Sequence, residues 1–98
     1  MRKSFIGALF EQARNDPKII IITADMGFNL LEKFQKELPG QIINGGISEA
    51  NCMSMAGGMA LAGRKPYVYS ITPFVTFRSF EQARVDVCYH NADVKIIG

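Results

Sequence analysis

A chain of 98 residues, of which 48% are apolar and 20% charged, can bury one modest hydrophobic core. Its 11 basic and 9 acidic residues leave a net charge of +2 without a run of like charges, which argues against nucleic-acid partners and against a polybasic membrane segment. The longest apolar run beyond the first predicted helix, at 19–24, is far below the ~20 residues that cross a bilayer. The sequence therefore predicts one soluble domain, or part of one, without a membrane partner.

The first half of the chain alternates between helical and strand patterns. Apolar residues recur at helical spacing over 5–13, and Asn15-Asp16-Pro17 ends that helix. The unbroken β-branched run Ile19–Thr23 is typical of a strand that helices cover on both faces. A second helix is predicted over 30–38 and a second, short strand over 41–44.

The second half continues this alternation. Ser48 is predicted as the N-cap of a helix that ends near 62–63, and 66–71 is a third strand. The spacing is helical again from 74 to about 91, and 94–97 is a fourth strand. The order αβαβαβαβ predicts an α/β fold with three layers, a parallel sheet of about four strands and right-handed crossovers. Because the chain stops just after a strand, we expect residues 1–98 to be part of a larger domain.

Cysteine and histidine are too few for a disulfide framework or a zinc site. Cys52 and Cys88 stand far apart in the sequence, and His90 is the only histidine. Free thiols are typical of the reducing cytosol, so we expect a cytoplasmic protein that has no metal site of its own. His90 lies near the end of a predicted helix, where a capping or surface role is expected rather than a catalytic one.

Glu49 is the main candidate for acid–base chemistry, because ligands of open parallel sheets collect beyond the carboxyl ends of the strands. It lies in the first turn of the third helix, where the helix dipole favours a carboxylate, and this alone is a sufficient structural explanation. The helix that follows carries almost no charge before Arg64, so partial desolvation would favour proton sharing. Both interpretations of Glu49 stay open at this point.

Three phenylalanines, Phe74, Phe77 and Phe80, recur every third residue from the end of the third strand. The stripe is either core packing or, because it begins at the ligand-facing edge of the sheet, a stacking platform for a flat heterocycle. Asp25 follows the first strand and is either a turn cap or part of the same site.

Paired glycines occur twice. Gly45-Gly46 ahead of a helix permits a phosphate cradle, although the spacing matches neither nucleotide fingerprint. Gly57 and Gly58 in mid-helix each cost about 1 kcal/mol relative to alanine, which predicts that another helix or strand approaches the backbone there.

Four segments together resemble the pyrimidine-binding domain of thiamine-diphosphate enzymes: NGGISEAN at 44–51, GGMALAG at 57–63, KPYVY at 65–69 and FVTF at 74–77. Within that superfamily the chain is most similar to the C-terminal section of transketolase and to the corresponding region of 1-deoxy-D-xylulose-5-phosphate synthase. The resemblance runs from the first helix to Gly98. It implies thiamine diphosphate as the cofactor and the transfer of two-carbon ketol units between sugar phosphates as the reaction.

The resemblance also implies roles for individual residues. Glu49 matches the family glutamate that contacts N1′ of the aminopyrimidine and shares a proton there. Phe74 and Phe77 match the aromatic residues around the pyrimidine, and Phe80 would be a third wall. Asp25, in Thr-Ala-Asp-Met, resembles a segment that lies near the cofactor and the substrate.

One departure from the family pattern concerns the diphosphate and its Mg²⁺. The family holds both in a separate domain with a Gly-Asp-Gly segment, which this sequence lacks. We therefore expect a diphosphate-binding domain or subunit as partner, in a homodimer or heterotetramer, and an inactive isolated chain. The alternatives are a deoxyxylulose-phosphate synthase reaction, a non-catalytic assembly module of the same fold, and a phosphate-binding domain that uses Gly45-Gly46.

Overall fold

The computed structural model describes residues 1–98 and contains four strands and four α-helices. In chain order these are α1 (Arg2–Asn15), β1 (Ile19–Thr23), α2 (Glu32–Glu37), β2 (Ile42–Asn44), α3 (Glu49–Leu61), β3 (Lys65–Tyr69), α4 (Phe80–Gln82) and β4 (Lys95–Ile97). A 3-10 helix, Pro39–Gln41, precedes β2, and two π-helical segments, Phe74–Arg78 and Ala83–Tyr89, flank α4. The predicted α/β class and four-stranded sheet are confirmed.

The strands form one parallel sheet in the order β2-β1-β3-β4. Ile21 of β1 pairs with Ile42 on one side and with Tyr67 on the other. The connection from β1 leads to one neighbour and the connection from β2 crosses over to the other, so the strand order reverses beside β1. In open α/β sheets the crevice at such a reversal, beyond the carboxyl ends of the strands, is where ligands bind.

Two hydrophobic cores cover the two faces of β1, which is buried along its whole length. Because side chains alternate along a strand, Ile19 and Ile21 contribute to one core and Ile22 to the other. The first core packs α1 and the α2 region on the sheet, with Phe10 and Phe34 in edge contact at 5.3 Å. The second packs α3 and the π-helical segments on the opposite face, which confirms the three layers.

The helical region after β3 differs from the predicted α-helix, because most of it is π-helical. The Ser79 hydroxyl donates to Val75 O at 2.5 Å, and the Thr76 hydroxyl donates to Thr72 O at 2.7 Å. Each hydroxyl bonds to a carbonyl oxygen that, in a regular α-helix, accepts a hydrogen bond from the backbone N–H four residues later. Such π-turns are frequent at functional sites.

The glycine pair in α3 is only half explained by a close approach. A Cβ on Gly57 would lie 2.5 Å from Asp86 O, so the second π-helical segment does approach this backbone as predicted. The prediction is wrong for Gly58, where nothing lies within 4 Å of the same position. Gly57 therefore allows the contact between the two helices, while Gly58 faces open space.

Both cysteines are free thiols, as predicted. Cys52 is buried, and desolvation raises the pKa of its thiol. No helix has both the length and the apolarity that a membrane crossing requires. His90 is exposed and occupies the C-cap position of the second π-helical segment, in agreement with the predicted surface or capping role.

Candidate functional site

Glu49 lies at the carboxyl edge of the sheet, where the first turn of α3 meets the end of β3. The residue is buried, with a relative exposure of 4%. The Ser70 hydroxyl, directly after β3, donates to Glu49 Oε1 at 3.2 Å. Burial of this acid agrees with the apolar surroundings that the sequence predicted. A helix-end carboxylate of the usual kind would face water, so the dipole alone does not account for its position.

The second oxygen of Glu49 is free of hydrogen bonds within the chain. Arg78 Nη1 is the nearest cationic nitrogen and stands 3.9 Å from Oε2, which is beyond hydrogen-bond distance. The Arg78 guanidinium also lies over the Phe74 ring, with Cζ 3.6 Å from the ring centroid. One carboxylate oxygen is thus anchored by Ser70, and the other is able to accept a bond from an external donor.

Sequence reasoning missed the two residues that contact Glu49. Ser70 follows the last residue of β3, so its position at the ligand-facing edge was the available signal. Arg78 follows Phe74 by one helical turn, a spacing that brings a cation onto an aromatic ring. We expected 66–71 to be strand throughout, whereas β3 ends at Tyr69 and releases Ser70 for this contact.

The turn before Glu49 is held by its own backbone and by side-chain hydrogen bonds. Gly45 N donates to Thr23 O at 2.8 Å, and Gly46 N donates to Asn44 Oδ1 at 2.9 Å. Both glycine N–H groups are therefore used, and the predicted phosphate cradle is wrong for this arrangement. Ser48 does occupy the N-cap position, but its hydroxyl donates to Gly45 O at 2.8 Å instead of capping α3.

The phenylalanine stripe is not a core stripe. Phe77 and Phe80 are 81% and 65% exposed, and Phe74 is partly buried beneath Arg78. Val75 is the buried residue of the first π-helical segment. The core interpretation is therefore wrong for Phe77 and Phe80, whose rings face outward on the same helical region as Phe74.

Asp25 lies in the loop after β1 and has no contact with Glu49. Asn44 Nδ2 donates to Asp25 Oδ1 at 2.8 Å. Both side chains line a cavity of about 260 Å³ together with Thr23, Met26, Gly27, Phe28, Leu31, Glu32 and Gln35. The structure thus brings Glu49, Arg78 and Phe74 together and places Asp25 separately at the same edge of the sheet.

Glu49 and the three phenylalanines lie outside the cavities of the chain. None of the five cavities of the chain is lined by any of these four residues. The largest cavity, about 730 Å³, lies at the opposite edge, beside the first residues of β1 and β3. No group of three or more histidine, cysteine, aspartate or glutamate side chains is arranged to hold a metal ion. A ligand beside Glu49 would need a second wall from elsewhere.

The chain is thus an α/β domain with a buried glutamate after its second strand. Comparisons with known proteins identify its family. The family model described as "Transketolase, pyrimidine binding domain" matches residues 1–98. The chain therefore belongs to the transketolase pyrimidine-binding domain family.

Individual relatives agree with this family. The chain is 41% identical over 98 residues to one subunit of the apulose-4-phosphate transketolase of Phocaeicola vulgatus, a match that covers 99% of this chain. It is 32% identical over 99 residues to a subunit of the 6-deoxy-6-sulfo-D-fructose transketolase of Clostridium sp.. It is also 42% identical over 93 residues to 1-deoxy-D-xylulose-5-phosphate synthase of Microcystis aeruginosa, which covers 94% of this chain.

A solved structure shares the fold. The chain superimposes with a TM-score of 0.84 and 34% identity on a structure described as "Split gene transketolase, inactive beta4 tetramer", over 97% of this chain and 32% of that one. The chain spans 31% of each of the two transketolase subunits and 14% of the synthase. It thus corresponds to one section of longer proteins.

Proposed function

We propose that the chain is the pyrimidine-binding part of a thiamine-diphosphate-dependent, transketolase-like enzyme that transfers two-carbon ketol units between sugar phosphates. The observation that carries the proposal is the state of Glu49: a buried carboxylate with Oε1 held by Ser70 and Oε2 free of hydrogen bonds. Arg78 pairs with Oε2 only at 3.9 Å, so a ring nitrogen that carries a proton is the hydrogen-bond donor that Oε2 lacks. The residues present therefore fit an aminopyrimidine, which offers such a nitrogen in a flat aromatic ring.

In this role Glu49 holds a proton at N1′ of the aminopyrimidine. Ser70 fixes the carboxylate so that Oε2 points outward, and burial strengthens the resulting hydrogen bond because few water molecules compete for it. The bound cofactor supplies the carbon chemistry of ketol transfer. Phe74, Phe77 and Phe80 supply aromatic faces for the ring and keep water from it, with Arg78 moving off the Phe74 face.

We favour transketolase-like activity over the synthase reaction because the transketolase subunits align with more of this chain than the synthase does. The two transketolase subunits align with 99% and 100% of this chain, whereas the synthase aligns with 94%. The synthase identity of 42% makes its reaction the second candidate. An assay for 1-deoxy-D-xylulose 5-phosphate beside one for ketol transfer separates the two.

The partner in this proposal is a diphosphate-binding domain or subunit that also holds Mg²⁺. The position of Glu49 outside the cavities of the chain supports this partner, because a second wall is needed to enclose a ligand there. The assembled cytoplasmic enzyme is a homodimer or a heterotetramer. The similar solved structure, described as an inactive tetramer, is in keeping with an incomplete site in the isolated subunit.

The isolated chain is expected to show no ketol transfer and no magnesium-dependent binding of thiamine diphosphate. Stacking and one hydrogen bond contribute a few kcal/mol, which corresponds to roughly millimolar affinity or weaker after the entropy of association. Calorimetry on the chain alone and with a diphosphate-binding subunit measures this, and addition of that subunit should restore binding and activity together. Micromolar, magnesium-dependent binding by the chain alone would contradict the two-domain account. Binding without turnover in the assembly would favour a non-catalytic module.

Phe77→Ala is expected to weaken cofactor binding in the assembled enzyme while leaving the stability of this domain nearly unchanged. The ring is exposed in the chain, so its removal costs little folding free energy, whereas loss of a stacking partner costs roughly 1–3 kcal/mol of affinity. Val75→Ala is the matched control, because Val75 is buried in the same segment and its truncation should lower the melting temperature. A Phe77→Ala variant that melts early but binds normally would return this ring to a structural role.

A further inference from the structure

The side-chain amide of Asn44 joins the two loops that carry the acidic residues of the site. Asn44 is the last residue of the edge strand β2. Its Nδ2 donates to Asp25 Oδ1 at 2.8 Å, and its Oδ1 accepts from Gly46 N at 2.9 Å. The two bonds therefore connect the loop after β1 with the turn that leads into Glu49.

The chemistry of the two partners sets the orientation of this amide. The Asp25 carboxylate only accepts hydrogen bonds, and the Gly46 N–H only donates. A flipped amide would point its oxygen at the carboxylate and its NH₂ group at the backbone N–H, and both bonds would be lost. Asn44 is thus held in one orientation by two contacts of opposite kind.

Asp25 depends on Asn44 for its position. Its φ of 56° lies in the left-handed region, which aspartate tolerates better than most residues but which still costs free energy. None of the ion pairs in the chain includes Asp25, and the Asn44 amide is the one hydrogen-bond donor to its carboxylate. Without that donor, nothing in the chain fixes the direction of this side chain.

The turn that follows Asn44 packs against the core at Gly45. A Cβ on Gly45 would lie 2.6 Å from Cys52 Sγ, so the backbone sits directly on the buried core. Gly46 has a φ of +77°, and its N–H donates to Asn44 Oδ1. Gly45 thus fixes one part of the turn against the core, and Asn44 connects this turn to Asp25.

We infer that Asn44 is a positioning residue that holds the Asp25 carboxylate in place at the edge of the site. This inference rests on the proposed function and adds to it that Asp25 contributes to cofactor binding. An asparagine that only formed the local turn would use Oδ1 and leave Nδ2 to water. Here Nδ2 reaches a loop on the neighbouring strand instead, so loss of this donor changes Asp25 without breaking the turn.

The test is Asn44→Asp in the assembled enzyme. The substitution keeps an acceptor for Gly46 N, removes the donor to Asp25 and places two carboxylates face to face. The dissociation constant for thiamine diphosphate should rise roughly three- to ten-fold, and amide hydrogen exchange should become faster over 25–29. Asn91→Asp is the matched control, since Asn91 is exposed, lines none of the cavities and undergoes the same chemical change. It should change neither quantity.

A double variant decides whether Asn44 acts through Asp25. Asp25→Ala with Asn44→Asp should bind the cofactor as Asp25→Ala alone does, within about two-fold. An additive loss in the double variant would assign the effect to the turn before Glu49 and overturn the inference, as would unchanged affinity and unchanged exchange in Asn44→Asp. If the wild-type assembly binds no thiamine diphosphate, the proposed function fails, and hydrogen exchange over 25–29 still decides whether Asn44 holds Asp25.

Discussion

Glu49→Gln in the assembled enzyme is expected to slow exchange of the C2 proton of bound thiamine diphosphate by at least about 100-fold. Glutamine is isosteric and keeps the Oε1 acceptor for Ser70, but it has no negative charge with which to hold a proton at N1′. Folding should not suffer, because burial of an ionised carboxylate is unfavourable and its replacement by a neutral amide removes that cost. The melting temperature of the variant should equal or exceed that of the wild type.

The control for this experiment is Glu81→Gln. Glu81 is exposed and pairs with Arg84, so the same chemical change occurs away from the site. The exchange rate of the C2 proton of thiamine diphosphate bound to the Glu81→Gln variant should match that of the wild type. Wild-type exchange in Glu49→Gln would remove Glu49 from the mechanism, whatever the effect of the substitution on turnover.

Gly57→Ala should lower the stability of the chain by about 1–3 kcal/mol. The added methyl group would meet Asp86 O at 2.5 Å, which forces α3 away from the second π-helical segment. Ser54 donates its hydroxyl to Asp86 Oδ2 at 2.5 Å one turn earlier, and the same displacement strains that bond. Thermal or urea unfolding of the variant measures the loss, and each kcal/mol corresponds to roughly 4–8 °C in a domain of this size.

Gly58→Ala, at the adjacent position, is expected to change the stability in the opposite direction. Nothing lies within 4 Å of its Cβ position and its φ is that of an ordinary helix, so alanine should stabilise the chain by up to about 1 kcal/mol. Equal effects at Gly57 and Gly58 would show that helix propensity decides both, and that the contact with Asp86 contributes little.

The regular parts of the fold follow from local patterns. The isoleucine run of β1 is β-branched and apolar on both faces. It therefore predicts a central strand without any knowledge of which strands pair with it. The π-helical segments were not predictable in this way, because the spacing of Phe74, Phe77 and Phe80 is equally compatible with an α-helix. Hydroxyl groups of Thr76 and Ser79 bond to backbone carbonyls in the region of the first segment, and periodicity carries no signal for such bonds.

The site divides in a similar manner. Glu49 stands out from the sequence because an acid precedes a long uncharged helix, a local feature. Its contacts with Ser70 and Arg78, and the bond between Asn44 and Asp25, join segments that lie far apart in the sequence. Such contacts depend on strand order and register, so they become visible only when the sheet is assembled.

The strand order also shapes how the protein forms. β1 is the central strand, but its second neighbour, β3, is reached only after two crossovers. Until β3 has left the ribosome, Ile20 and Ile22 have an unpaired backbone edge on that side and no partner to cover them. Long-range parallel pairing of this kind is slow, because the entropy of closing the loop comes before the contacts form. The nascent chain therefore passes through a stage in which one edge of the apolar strand β1 is exposed, and this stage ends when Lys65–Tyr69 is synthesised and pairs with it.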